Sequence, residues 1–440
     1  MKEDDYKKSI NEFGKKLDNY EMKKITNLED YMDDEILSVK GRIKSIRKFG
    51  KLIFADLYSF DETIQISFSK NDFENLDKIT KMLNVGDNVI VCGKVYTTRI
   101  GKKTLNCNYM SILSKSTKSF PEKYHGLRDR NIKREKKFLD VISSEITRLN
   151  IQKKIDLLKS IRNILLNDNF EEIMLPLFEK YMSSKSINDF NDYDKLYLYY
   201  AELCGMQKFY TFSKEYQITD KTDQIIEHDN IIIISLYYDE KNIEKTLQYI
   251  ITTLIKQINH TLVLNFQGLR IDFENFKKIN FQEELSKFFK DNIQHLSDIN
   301  KIKNILISNN IFLEEKINNI SDINILLQKV FQQQVIKYII QPTFVYNYEI
   351  NKVELYVNSE LIGESFINSC NENYIINNGN NKDFEKFNDE LSYGIQPSIF
   401  TKIDLDNLIK IINNNLSDDD NTIYPKSKIL KINPYFKNCK

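Results

Sequence analysis

Val39-Lys-Gly-Arg-Ile-Lys-Ser-Ile-Arg-Lys-Phe-Gly-Lys-Leu-Ile-Phe-Ala-Asp-Leu57 alternates apolar and polar residues on both sides of Gly50. A period of two predicts half-buried strands, because successive side chains leave opposite faces of a pleated backbone. The first strand runs over 36–46, with Val39, Gly41 and Ile43 on one face, and the second over 51–58. Outward from there, Ser59-Phe-Asp-Glu62 is a turn and 64–68 a third strand. Phe73, Leu76, Ile79 and Leu83 then recur at helical spacing. Val85-Gly-Asp87 turns the chain into a strand over 88–97, and Gly101-Lys-Lys103 turns it into another over 104–113.

Three strands, a helix and two strands is the order of a five-stranded OB barrel. The face made by its second and third strands, with the flanking loops, is where such barrels take oligonucleotides or sugars. Arg42, Arg47, Phe54 and Gln65 fall on that face. An exposed aromatic can stack an unpaired base, and an amide can read a base edge. The same residues would also suit a barrel used only as an interaction module, since fold does not dictate function.

The chain has 440 residues, so a small domain and a larger one are expected. Lys plus Arg and Asp plus Glu number 63 each, and any basic surface must therefore be local. Cys92, Cys107, Cys204, Cys370 and Cys439 are scattered, and His125, His228, His260 and His295 show no ligand spacing. Neither a disulfide frame nor a zinc site is expected, and a reducing cytoplasm fits. Met1-Lys-Glu-Asp-Asp5 has no apolar stretch, and no segment approaches ~18 consecutive apolar residues, so no membrane partner is expected. Cys204 is expected to be buried packing.

The expected organisation is a polar helical lead-in over 1–34, the barrel over 35–115, a linker over 116–130, an α+β domain over 131–415 and a polar tail over 416–440. Residues 131–167 read as helix, Ile231-Ile-Ile-Ile234 as a buried strand, and 371–383 as an Asn/Gly-rich loop.

The opening stretch resembles the anticodon-binding barrel of class II lysyl-tRNA synthetases. So does Ser114-Lys-Ser-Thr-Lys-Ser-Phe-Pro-Glu-Lys-Tyr-His-Gly-Leu-Arg-Asp129, running on to Phe138-Leu-Asp140. Phe170-Glu-Glu-Ile-Met-Leu-Pro176 looks like the family's first motif, which builds the dimer interface. Tyr197-Leu-Tyr-Tyr-Ala-Glu-Leu203 looks like the strand presenting a substrate-binding Glu, here Glu202. Ile340-Gln-Pro-Thr-Phe344 and Tyr393-Gly-Ile-Gln-Pro-Ser398 match further family segments. The resemblance implies an antiparallel sheet flanked by helices, usually homodimeric.

Such an enzyme joins the lysine carboxylate to the α-phosphate of ATP. Arg residues must clamp phosphates bidentately, carboxylates must hold Mg²⁺, and another carboxylate must meet the lysine ammonium. The resemblance implies that several of these groups are missing. The second-motif strand, Phe212-Ser-Lys-Glu-Tyr-Gln-Ile218, lacks its Arg-x-Glu, and no Arg lies between Arg162 and Arg270. Lys214 or Lys221 would have to substitute, and a point charge does not reproduce a guanidinium fork. The three third-motif glycines fall on Phe400, Lys402 and Asp404; Asp406 is kept, and the Arg falls on Asn407. Glu354 keeps the first metal-binding carboxylate, whereas the second falls on Leu361. The Asn that contacts the amino acid is Glu364, the ammonium-binding Glu is Asn368, and Phe366 survives.

In the barrel, Phe54 and Gln65 match anticodon-contacting positions. One Arg of a pair is Ile46, the other is Arg47, and a loop Glu has become Lys102 beside Lys103. A catalytically degenerate paralogue that binds tRNA or another structured RNA follows, with no cofactor expected. ATP and Mg²⁺ enter only under the alternative of a divergent, active lysine–tRNA ligase. A scaffold, homodimeric or paired with an active synthetase, is the third reading.

Overall fold

The computed structural model describes residues 22–23, 27–59, 62–70, 76, 83–118, 132–133, 136–175, 201, 203–219, 224–236, 243–290, 298–308, 311, 320, 322–347, 352–368, 398–414 and 427–429. The chain divides into two units, Met1–Gln152 and Lys153–Lys440. Most of the expected lead-in, linker and tail lies outside the described residues, as do Glu202, Lys221 and the loop over 371–383.

In the first unit the alternating stretches form five strands: β1 (Ile36–Phe49), β2 (Leu52–Tyr58), β3 (Thr63–Ser69), β4 (Asn88–Thr97) and β5 (Lys103–Ser114). They pair in the order β1-β2-β3-β5-β4, and β4 returns to pair with β1. The β3–β5 pairing is parallel and the others named here are antiparallel. This is an OB barrel. Of the helical stretch expected between β3 and β4, Leu76 and Leu83 are described; both are buried, and Leu76 is helical whereas Leu83 is not.

Ile53, Ala55 and Leu57 on β2 and Ile64, Ile66 and Phe68 on β3 fill the interior. Phe54 and Gln65, one residue out of phase, are left on the outer face. Leu28 is also buried in this core, with Tyr31 packed against it. The barrel thus draws on residues ahead of 35. Asp87 is fully buried at the turn into β4. Its carboxylate takes an ion pair from Lys115 at 2.6 Å and backbone N–H bonds from Asn84 and Ser116 at 2.7 Å. One side chain therefore ties the start of β4 to the chain leaving β5. The first unit runs on through α1 (Lys137–Ser143) into α2 (Glu145–Asn167). There the Tyr58 hydroxyl donates to the Ile142 carbonyl, and the Arg148 guanidinium lies 4.6 Å from the Tyr58 ring centre.

The second unit is built on one large sheet. Its strands are β6 (Glu171–Glu172), β7 (Lys208–Thr219), β8 (Gln224–Leu236), β11 (Lys277–Asn280), β12 (Thr343–Asn347), β13 (Lys352–Val357), β14 (Glu360–Asn368), β15 (Ser398–Asp404) and β16 (Ser427–Ile429). The order is β11-β12-β13-β14-β15-β8-β7-β6, with β16 also on β8. Only the two outermost pairings of that path, β11–β12 and β6–β7, are parallel. A small hairpin, β9 (Val263–Phe266) with β10 (Leu269–Asp272), stands apart. The fold is α+β, an antiparallel sheet with helices.

One sheet face packs on α2, α3 (Lys245–Asn259) and α7 (Leu405–Asn413) through Leu157, Leu247, Leu254, Leu355, Ile403 and Leu408. α4 (Phe281–Phe289), α5 (Ile299–Ser308) and α6 (Ile323–Gln334) form a second cluster with Val345 and Tyr356. The isoleucine run lies on β8 as expected, with Ile231, Ile233 and Ile234 buried. No helix among the described residues is long and apolar enough to cross a membrane.

Gly93 on β4 faces the backbone of β5 so closely that a Cβ would stand 2.0 Å from the Asn106 carbonyl oxygen. A strand ladder cannot yield as a side chain can. Gly93→Ala should destabilise the barrel by at least ~2 kcal/mol, read as a lowered midpoint in urea. An unchanged midpoint would mean that β4 and β5 do not approach in this way.

Candidate functional site

On the outer barrel face, strand register sets which side chains meet. Arg47 stands opposite Phe54 and Ser45 opposite Asp56 on the β1–β2 pair; Phe54 stands opposite Ser67 and Asp56 opposite Gln65 on the β2–β3 pair. A register shift between Ile43 and Ser45 turns Ser45 and Arg47 onto this face. The Arg47 guanidinium bonds Asp56 at 3.0 Å, and the Ser45 hydroxyl donates to the same carboxylate. Thr104 donates to the Gln65 side-chain carbonyl at 2.9 Å, a bond that does not use the amide NH₂ of half-buried Gln65. Beside it, Tyr96, Ser67 and Asn106 form a polar chain with 3.3 Å links.

The residues expected on this face divide into two groups. Arg47, Phe54 and Gln65 come together. Arg42 lies further along, half-buried, with its guanidinium on the Gly86 carbonyl. Lys102 is exposed in the β4–β5 loop beside exposed Arg99. Lys103 is drawn out of that loop: its ammonium reaches the Tyr31 carbonyl and lies 3.2 Å from Asp33. The Thr97 hydroxyl, and then Lys103, hold the Asp33 carboxyl below its ordinary value. The loop is less basic in practice than its sequence.

In the second unit, register aligns side chains in rows across one sheet face. One row reads Phe209, Ile234, Phe400, Phe366, Lys352. The next reads Thr211, Ile232, Lys402, Glu364, Glu354. The first row is apolar until its last member. Phe209 and Ile234 are fully buried, and Phe400 is stacked on Phe366 with ring centres 5.2 Å apart and planes 20° off parallel. Ala201, Met206 and Ile173 pack against this cluster.

At the other end the charges close on each other. Lys352 Nζ lies 2.7 Å from Glu354 and 2.6 Å from Glu364, which stand directly opposite on β13 and β14. The Tyr356 hydroxyl donates to the other Glu354 oxygen at 2.9 Å. Burial alone would pull the Lys352 ammonium down, but Glu364 and Glu354 outweigh it and hold it well above its ordinary value. Burial and the adjacent Glu354 charge push the Tyr356 phenol far up. Leu361 is packed against the α4–α6 cluster.

Asn407 turns back on its own helix. Its N–H and side-chain amide bond Asp404 at 2.8 and 3.1 Å, and the amide also bonds the Leu361 carbonyl at 3.1 Å. Asp404 is the N-cap of α7. Burial raises its carboxyl to about 6, with Asp406 adding to the rise. Asp406, 2 % exposed, accepts the Asp229 N–H at 2.8 Å and lies 3.4 Å from Lys154, which pairs with Asp229 at 2.6 Å. Asp406 is thus buried in a network with Asp229 and Lys154. Lys214 lies 3.9 Å from Asp229. The Asn368 side chain and those of 215–219 lie outside the described residues. Cys204 is exposed, contrary to expectation, because the chain turns at Cys204–Gly205 before β7.

The sequence reading missed Lys352 and the polar chain around Ser67. Lys352 and Glu354 are two apart on a strand and so share a face, a signal that was present. The partnership with Glu364 needed the β13–β14 register.

Comparison with known proteins bears on the barrel and on the chain as a whole. Residues 37–113 match the OB-fold nucleic acid binding domain family. A lysine–tRNA ligase of Wigglesworthia glossinidia brevipalpis is 28 % identical over 436 residues, covering 89 % of this chain and 88 % of that protein. One from Fusobacterium nucleatum is 25 % identical, covering 78 % and 72 % respectively. One from Buchnera aphidicola subsp. Schizaphis graminum is 25 % identical, covering 94 % and 90 %.

Two measurements check the site. Lys352→Ala leaves two facing carboxylates without their cation. It should cost ~1–3 kcal/mol, discounted from a fully buried pair because these groups are about a quarter exposed, and Glu364→Gln in the same chain should recover part of the loss. An additive double variant in urea denaturation would deny the contact. Asp404 has a folded pKa above its unfolded one. Its contribution is therefore full below about pH 3.8 and lost as pH rises through about 6. Asp404→Asn keeps the cap, so its unfolding free energy in urea should match the parent near pH 4 and exceed it at pH 8, by up to ~3 kcal/mol. A pH-independent difference would contradict this.

Proposed function

From a chain that is class II lysyl-tRNA synthetase-like along nearly its whole length, we propose a tRNA- or RNA-binding protein that no longer carries out the synthetase reaction. The observation that carries the reading is the Lys352 ion pair with Glu354 and Glu364. A lysine substrate needs a free carboxylate for its ammonium, and Mg²⁺ needs free carboxylate oxygens. Here an internal ammonium occupies Glu354 and Glu364, and Asn368 stands where the resemblance expects the ammonium-binding Glu. The groups present do not fit Mg²⁺: the Glu354 oxygens are engaged by Lys352 and Tyr356, and Leu361 offers no oxygen donor in its side chain.

Further support comes from the apolar row. Where the resemblance expects glycines to admit ATP to the backbone, Phe400 fills the surface with a stacked pair. Asn407, in the place of a phosphate-binding Arg, is spent on helix α7 and the Leu361 carbonyl. Removing one such preorganised charge typically costs ~3–4 kcal/mol of transition-state stabilisation, and several are altered together.

The barrel supports the RNA half. Phe54, Gln65 and Arg47 stand together, with Arg99 and Lys102 exposed at the loop. The working location is the cytoplasm, and the chain pairs with itself or with an active synthetase through the first-motif segment. A second reading, a working lysine–tRNA ligase, is favoured by the name its relatives share. It requires Lys352 to leave both glutamates when substrates arrive.

Affinity for lysine tRNA and for an unrelated tRNA, measured by filter binding at two salt concentrations, tests the proposal. Binding should fall steeply with salt and differ little between the two, because phosphate contacts dominate. Strong preference for lysine tRNA, or no binding to either, would contradict it. Titration calorimetry with ATP and lysine should show no heat of binding. Saturable heat with either would favour the second reading.

A further inference from the structure

Phe49 closes the hairpin between β1 and β2, next to Gly50, and is 63 % exposed. A large aromatic so exposed at a loop tip is costly to solvate and adds little to the core. Its ring meets that of Phe54 edge-on, with centres 6.1 Å apart and planes 72° from parallel. Phe49 stands opposite Leu52, and Arg47, two residues back on the same face, stands opposite Phe54. Exposed lysines, Lys48, Lys51 and Lys70, surround this end of the barrel.

We infer that Phe49 is a second stacking surface for RNA, taking the base next to the one on Phe54 and holding the two bases splayed. Bases in a continuous helical stack lie parallel, about 3.4 Å apart. Two rings at 6.1 Å and 72° cannot serve such a stack. They fit an unpaired step whose bases have been turned apart, the form in which single-stranded RNA is read on aromatic side chains. The Phe54 base then lies over the Arg47–Asp56 pair and within reach of Gln65 and the Ser67 chain. The Phe49 base has the apolar Leu52 opposite it on β2, with Ser69 next in that row on β3. Stacking on an aromatic ring is sequence-tolerant, so Phe49 adds mainly affinity, and base reading falls to the groups around Phe54.

This rests on the RNA-binding reading of the barrel. It is tested with the full chain and a fluorescein-labelled oligouridine, followed by anisotropy at two salt concentrations. Phe49→Ala should weaken binding by about 5- to 150-fold, the range of one lost base stack. Phe49→Tyr should restore most of it. The slope of affinity against salt should not change, because stacking releases no counterions. Thermal melting of the variant should match the parent, as the residue is exposed. If the parent does not bind, the RNA reading and this inference both fail. If the parent binds and Phe54→Ala weakens it while Phe49→Ala leaves it unchanged or improves it, only this inference is overturned.

Discussion

Glu354 and Glu364 face each other across adjacent antiparallel strands, and like charges so placed destabilise a sheet unless a cation stands between them. The cation is Lys352, two residues before Glu354 on the same strand, and its contacts of 2.7 and 2.6 Å join β13 to β14. The strands on either side inherit this arrangement. Tyr356 donates to Glu354 and packs into the helical cluster that also receives Leu361, and the Leu361 carbonyl takes the Asn407 amide at the head of α7. Under the proposed function, positions that a synthetase would direct at ATP and lysine are here bonded to one another.

Under the synthetase-like reading the change is coherent across the sheet face. The partly exposed Glu364 charge is compensated by Lys352. The Phe400 ring is covered by Phe366, Phe209 and Ile234. Each replacement in that reading has a partner that makes it stable. In the proposed reading, the pocket was rebuilt as a core. The barrel shows the opposite tendency: its interior is apolar and closed, while its outer face carries an aromatic pair, an amide and cations.

Much of this was legible in the residues. The strand-helix order of the barrel followed from period-two runs and Gly turns, and its observed strands begin and end within three residues of the expected ends. The third-motif and metal positions were assigned from the resemblance alone and belong to the proposal. The pairing of the new groups was not legible. Phe366 with Phe400 depends on register between strands separated by a long stretch of chain, and Lys352 with Glu364 on the register of the β13–β14 hairpin, which shifts between Leu355 and Tyr356; local periodicity encodes neither. Lys103 reads as part of a basic loop until its fold-mate Asp33, seventy positions earlier in the chain, is seen to hold it. Cys204 misled for a simpler reason, because cysteine is usually buried and this one sits at a turn.

The central claim is that the sheet face of the second unit cannot activate an amino acid. ATP–pyrophosphate exchange with lysine, run beside a known lysine–tRNA ligase, tests it most directly. The account predicts exchange at the background rate without enzyme, with or without added Mg²⁺ and tRNA. Lysine-dependent exchange well above that background would contradict it.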